Sequence, residues 1–160
     1  MIQKTHNWSI LTGSFLYVGY LPKFPGTWGS LVALPIIYLA SVYIHPLFGP
    51  LLVALLFTMI TLLAIPGMET ALGPDPRECI SDEIAGQAIV FLFIPLYSNW
   101  EYNLLVFASG FVLFRLFDIL KPLGIGALQN TEGGWGVLLD DIVAGMYAQM
   151  CLLIVIFVVL

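Results

Sequence analysis

Charged side chains are scarce in this chain. Asp, Glu, Lys and Arg make up 9% of its 160 residues, where a soluble domain carries roughly 25%. With 60% hydrophobic residues and a mean hydropathy of +0.99, that shortage excludes an ordinary water-soluble domain. Basic residues are scarcest of all. Five Lys and Arg stand against ten Asp and Glu, so no electropositive surface is available for nucleic acid. Only Cys79 and Cys151 carry thiols, one in a polar stretch and one in an apolar run. This excludes a disulfide framework, a CxxC redox pair and a Cys-x5-Arg phosphatase loop. The two histidines, His6 and His45, are too few and too separated for a lipid phosphatase with a histidine nucleophile. No DxDxT run exists for a haloacid-type aspartyl-phosphate enzyme, and the DGxxAR…GxxxD…D pattern of membrane phospholipid synthases is missing. The N-terminal apolar stretch from Trp8 to Tyr20 lacks a small-residue cleavage site and does not read as a signal peptide.

What the chain has in abundance is long apolar runs, at about 29–45, 48–66, 83–97, 103–120 and 142–160. A helix needs ~20 residues to cross a bilayer core. The pattern predicts one all-α domain over residues 1–160, a polytopic membrane helical bundle of about five transmembrane helices. Residues 8–22 are short and interrupted by glycine, which predicts an interfacial or re-entrant segment. Five spans put residues 1–28, 67–82 and 121–141 on one side of the membrane. Lys4, Lys23, Arg77 and Lys121 fall on that side, Arg115 lies near it, and the opposite side has neither Lys nor Arg. The positive-inside rule assigns this face to the cytoplasm. Every acid except Glu101 falls there too, so one face carries the chemistry.

The stretch "GVLLDDIVAG", from Gly136 to Gly145, sets Asp140 and Asp141 at the mouth of the last apolar run. "SDEIAG" sets Asp82 and Glu83 at the mouth of the third. Acids complement the positive end of a helix dipole, and that explains either pair alone. In "FRLFDILKP", Arg115, Asp118 and Lys121 recur every third residue and share a helix face that Pro122 ends. An intrahelical ion pair with a snorkelling lysine explains that spacing alone. Together, five carboxylates facing two cations at one membrane edge carry a formal −3 when ionised, a charge that calls for a hard divalent cation. Mg²⁺ is bound through one or two carboxylates plus substrate phosphates; a purely structural cation site is the other reading. Gly133, Gly134 and Gly136 in "EGGWG" offer backbone N–H groups for an anion nest. Thr27 and Ser30 in "PGTWGS" sit near a helix N-terminus that favours phosphate. Ordinary turn glycines and an N-cap serine explain these two stretches equally well. The combination points to metal-dependent phosphate chemistry. The alternative from another class is a small membrane ion channel or carrier with an acidic cation site, although such sites lie near the midplane between repeats.

In this order, PGTxGS (25–30), DPxExxxDExxG (75–86), FRxxDxxKP (114–122) and GGxGxxxDDxxAG (133–145) resemble the phosphatidylglycerophosphatase A family over nearly the whole chain. Leu123-Gly124 replaces a second proline common after the Lys-Pro pair, and Cys79-Ile80-Ser81 is more polar than the usual aliphatic approach to the first acid pair. The resemblance implies a Mg²⁺-dependent phosphatase of the bacterial inner membrane with a cytoplasmic active site. Its substrate would be the lipid phosphatidylglycerophosphate, cleaved to phosphatidylglycerol and phosphate. Asp82, Glu83, Asp118, Asp140 and Asp141 would hold metal or activate water. Arg115, Lys121, Thr27, Ser30 and the glycines Gly133, Gly134 and Gly136 would bind the phosphate.

Overall fold

A computed structural model describes residues 2–96, 99–128 and 134–159. The elements are α1 (Ile2–Gly13), a 3₁₀ turn (Val18–Tyr20), α2 (Pro25–Tyr43), α3 (Phe48–Leu72), α4 (Ser81–Val90), α5 (Trp100–Leu120), α6 (Ile125–Leu128) and α7 (Gly134–Val159). No strand occurs among the described residues. The protein is an all-helical membrane bundle. Among the described residues, four helices, α2, α3, α5 and α7, are long and apolar enough to cross a membrane.

The helix ends follow local chemistry. Pro25 occupies the first turn of α2, where its missing N–H costs nothing. Asn99 caps α5, its side chain accepting the N–H groups of Glu101 at 2.8 Å and Tyr102 at 3.3 Å. Lys121 stops α5 in a left-handed conformation, φ 44°, just before Pro122. α7 begins at Gly134, several residues before the apolar run suggests. Asp140 and Asp141 therefore lie in its second turn, beyond the reach of a first-turn dipole effect. Asp82 and Glu83 do lie in the first turn of α4.

The third apolar run takes a different form from the others. α4 has ten residues, about 15 Å of helix, or roughly half of a ~30 Å hydrocarbon core. Pro95 disfavours helix at Ile94, and the chain leaves helical geometry after Val90, with Phe93 at φ 62°. Exposed backbone is costly at that depth unless protein groups satisfy it. Gln149 of α7 does so, donating its Nε2–H to the Leu92 carbonyl at 2.6 Å.

α4 is the centre of the bundle. Eight of its residues are buried, including Ile84, Ala85, Ala88 and Val90. A helix buried on all sides needs small contact residues. A Cβ added at Gly86 would lie 2.6 Å from the Asp141 backbone oxygen and 2.8 Å from the Phe114 ring. One at Gly145 would in turn run into the Gly86 carbonyl. The two glycines mark a backbone-to-backbone crossing of α4 and α7 immediately below the acid pairs.

The N-terminal segment gives a twelve-residue helix, too short to be one of the four long ones. Its Ile10 packs on the patch formed by Ala64, Ile65, Met68 and Cys79. The Gly13 carbonyl accepts the N–H of Ile80 at 2.9 Å. Consecutive left-handed residues Phe15, Leu16 and Tyr17 then turn the chain toward α2.

Candidate active site

Three helices supply the main charges of one cleft of about 260 Å³. α4 brings Asp82 and Glu83, α7 brings Asp140 and Asp141, and α5 brings Arg115 and Asp118, with Lys121 at its end. All seven line the cleft. The four aspartates are at most 8% exposed, a placement that charges tolerate only with partners.

Arg115 organises the floor. Its Nη1 donates to Glu83 Oε2 at 2.6 Å and lies 2.9 Å from Asp118 Oδ2. The three-residue spacing thus does pair Arg115 with Asp118, and it also reaches across to α4. Ser30 accepts a bond from Arg115 Nη1 at 3.2 Å, and its hydroxyl lies 3.0 Å from the Gly26 carbonyl and 3.3 Å from Glu83 Oε2. Ser30 is fully buried behind this pair and is not part of the cleft wall. It fixes the Arg115–Glu83 geometry from the rear. On the other wall, Lys121 Nζ donates to Asp140 Oδ2. Burial works against the charged form of Lys121, but the Asp140 hydrogen bond and the nearby Asp140, Asp118 and Asp141 charges outweigh it, raising the ammonium's pKa above the usual lysine value.

Three carboxylates converge. One oxygen each from Glu83, Asp118 and Asp141 lie within 4.8 Å of one another. This all-oxygen set could hold a metal ion, and oxygen ligands are those that hard divalent cations take. The other two acids differ. Asp82 Oδ1 accepts the Glu83 N–H at 3.0 Å. Asp140 Oδ1 is buried with no hydrogen-bond partner among the described residues.

The residues of the glycine-rich stretches that are described lie off the cleft wall, apart from Pro25 and Gly26. Gly134 and Gly136 belong to the first turn of α7, not to a loop nest, and neither lines the cleft. Gly133 lies outside the described residues. Thr27 is half-buried in α2 and is likewise not on the cleft wall. In "PGTWGS" the residue that matters for the site is Gly26, where any side chain would collide with the Glu83 carboxylate. Its absence of a Cβ lets α2 close over α4.

The loop before α4 adds cleft residues that the sequence reading left unassigned: Asp75, Pro76, Arg77 and Cys79. Their position directly ahead of "SDE" was the available signal. Cys79 is not a nucleophile candidate. Burial, reinforced by the Asp82 charge, pushes its thiol well above the usual range, and the thiolate is the reactive form.

The chain is similar in sequence to several known proteins. The family profile described as "PgpA: Phosphatidylglycerophosphatase A" matches residues 11–156. A protein named "Putative phosphatidylinositol-3-phosphatase" from Bacteroides thetaiotaomicron is 36% identical over 143 residues, 87% of each chain. A "Phosphatidylglycerophosphatase A" of Escherichia coli (strain K12) is 33% identical over 147 residues, 91% of this chain and 81% of its own. One of Haemophilus influenzae is 35% identical over 136 residues, 81% and 77% of the two chains. No solved structure matches the chain significantly.

Proposed function

The chain belongs to the phosphatidylglycerophosphatase A family, and from that premise we propose that it hydrolyses the terminal phosphomonoester of phosphatidylglycerophosphate. The products are phosphatidylglycerol and inorganic phosphate. The observation that carries this reading is the convergence of Glu83, Asp118 and Asp141 oxygens beside the Arg115 and Lys121 cations in one cleft. An anionic phosphate does not approach so many carboxylates unaided. Glu83, Asp118 and Asp141 would hold a hard divalent cation of the Mg²⁺ class. That cation, when bound, supplies positive charge to offset the charge that develops on the phosphoryl oxygens.

The remaining steps belong to the chain's own groups. Arg115 presents a planar guanidinium suited to phosphate oxygens, and its buried Nε–H has no partner among the described residues. Lys121 adds a second positive charge at the other wall. Asp140 Oδ1, an unpartnered acceptor, takes a proton from the attacking water. The water oxygen bonds to phosphorus, the ester P–O bond breaks, and the proton passes to the leaving headgroup oxygen. Each role depends on hydrogen-bond reach in the complex. We place the cleft at the cytoplasmic edge of the bacterial inner membrane, because Lys23, Arg77 and Lys121 cluster at that end, and we take residues 1–160 to be one catalytic domain.

The test is phosphate release from phosphatidylglycerophosphate in detergent micelles. We expect turnover with Mg²⁺, loss in EDTA and recovery on adding excess Mg²⁺. Full turnover in EDTA would remove the cation from the mechanism. A carrier without phosphatase activity would release no phosphate in either condition.

A further inference from the structure

The floor of the cleft accounts for one phosphate, yet the proposed substrate carries two: a terminal monoester and, across a short glycerol bridge, the diester that joins the headgroup to the lipid. With the monoester at the floor, that bridge confines the diester to the mouth of a cleft of only about 260 Å³. The cleft as a whole has more acids than bases. The cleft walls hold six acids, Asp75, Asp82, Glu83, Asp118, Asp140 and Asp141, against three bases. Two of those bases are already engaged at depth, Arg115 with Glu83 and Asp118, and Lys121 with Asp140.

The third base is Arg77. It lines the same cleft from the α3–α4 loop, and its side chain is 85% exposed. Its recorded ion pair is to its chain neighbour Glu78, Nε to Oε1 at 3.2 Å, and Glu78 does not line the cleft. That contact engages Nε, while the guanidinium fork carries further donors on its two terminal nitrogens. The loop itself is held in place. Cys79 is buried, and its N–H donates to the Pro76 carbonyl at 2.8 Å. The Ile80 N–H is tied to Gly13. A long, exposed cation is therefore mounted on a tethered loop that lines the cleft.

We propose that Arg77 forms a second anion subsite, which binds the phosphodiester of the substrate and selects lipids that carry a monoester and a diester together. The inference rests on the phosphomonoester reading above and goes beyond it by dividing the two phosphates between two groups of cations. Arg77 is a specificity residue, not part of the chemical step. An interaction made equally in the ground state and the transition state changes KM and leaves kcat alone.

The experiment compares full-length wild type with Arg77→Gln, Arg77→Lys and Glu78→Gln, measuring kcat and KM for phosphatidylglycerophosphate in mixed micelles with Mg²⁺. Arg77→Gln should raise KM about tenfold, equivalent to ~1.4 kcal/mol, with kcat within about twofold of wild type. Arg77→Lys, which keeps the charge, should recover part of the loss. Glu78→Gln should leave KM at or below the wild-type value, since it frees Arg77 from its neighbour. Three results overturn the proposal: a wild-type KM in Arg77→Gln, a loss confined to kcat, or a Glu78→Gln defect equal to that of Arg77→Gln. The last would mean that the pair merely shapes the loop. Wild-type protein inactive on phosphatidylglycerophosphate would instead refute the preceding reading. The same variants are then compared on phosphatidylinositol 3-phosphate, which also carries one monoester and one diester. Turnover of neither lipid overturns both.

Discussion

Adding one methyl group at Gly86 tests whether the crossing of α4 and α7 sets the geometry of the carboxylate cluster. The new Cβ would meet the Asp141 backbone oxygen at 2.6 Å, where ordinary contact begins at 3.4 Å, and the Phe114 ring at 2.8 Å. Neither neighbour is the free end of a flexible side chain. Relief requires α7 to move away from α4 by roughly 1 Å, and the moving atom belongs to Asp141, one of the three converging acids. Overpacking of this kind costs about 1–3 kcal/mol in stability. Misplacement of a catalytic group by ~1 Å costs about 10²-fold in rate. The expected phenotype of Gly86→Ala is therefore a folded protein with modestly reduced thermal stability in detergent and a kcat lower by about two orders of magnitude. Gly126→Ala is the matched control. Gly126 lies in α6, and its added Cβ would meet only the Lys121 Cβ, at an ordinary 3.8 Å. It should retain wild-type phosphate release. If Gly86→Ala turns over normally, the acids do not depend on this contact and the geometric account of the site is wrong.

Two further outcomes follow from the same architecture. Asp118→Asn and Asp141→Asn should each cut phosphate release by orders of magnitude in protein that still purifies folded in detergent, and near-normal rates would mean that the three converging carboxylates take no part in the reaction. Leu123→Cys, at a site 80% exposed beside the cleft, should resist membrane-impermeant thiol reagent in intact cells, whereas Asn99→Cys at the opposite end should react, and the reverse pattern would invert the assigned orientation.

The sequence made the charged residues easier to interpret than the glycines. Arg115, Asp118 and Lys121 were readable because charge is rare here and helical spacing is regular, so a polar face at a membrane edge stands out. That Asp82, Glu83, Arg115, Asp118, Lys121, Asp140 and Asp141 share one cleft is a tertiary fact, and the shared position of their segments along the chain's apolar pattern was enough to anticipate it. Gly26, Gly134 and Gly136 were harder. A glycine in sequence can mean a phosphate nest, a turn or a close helix contact, and only the neighbouring backbone distinguishes them; here Gly26 marks helix packing and Gly134 opens α7. The third apolar run misled for another reason. Composition marks residues 83–97 as apolar whether the chain spans as one helix or breaks halfway, although Pro95 was there to be read. Arg77 was counted only toward membrane orientation, because no spacing rule links a loop arginine to a cleft formed by helices far away in sequence.

The bond between Gln149 and the Leu92 carbonyl has a consequence for how the protein is made. α4 contributes only ten residues of helix, buries Asp82, half-buries Glu83 and is followed by backbone outside helical geometry. Its mean hydrophobic character is too modest to hold it in lipid alone. The group that completes its C-terminal end lies in α7, which leaves the ribosome after α4 and α5. Until α7 arrives, the middle of the chain is an insertion intermediate that lacks both its central packing partner at Gly145 and its hydrogen-bond donor at Gln149. Assembly of the core thus waits for α7, even though the flanking α2, α3 and α5 can enter the membrane as they emerge. A chain cut after α6 should be inserted yet cleared by membrane proteases, and pulse-chase labelling should show its half-life shortened well below that of the full-length protein. Equal half-lives would show that α4 is secured before α7 is made.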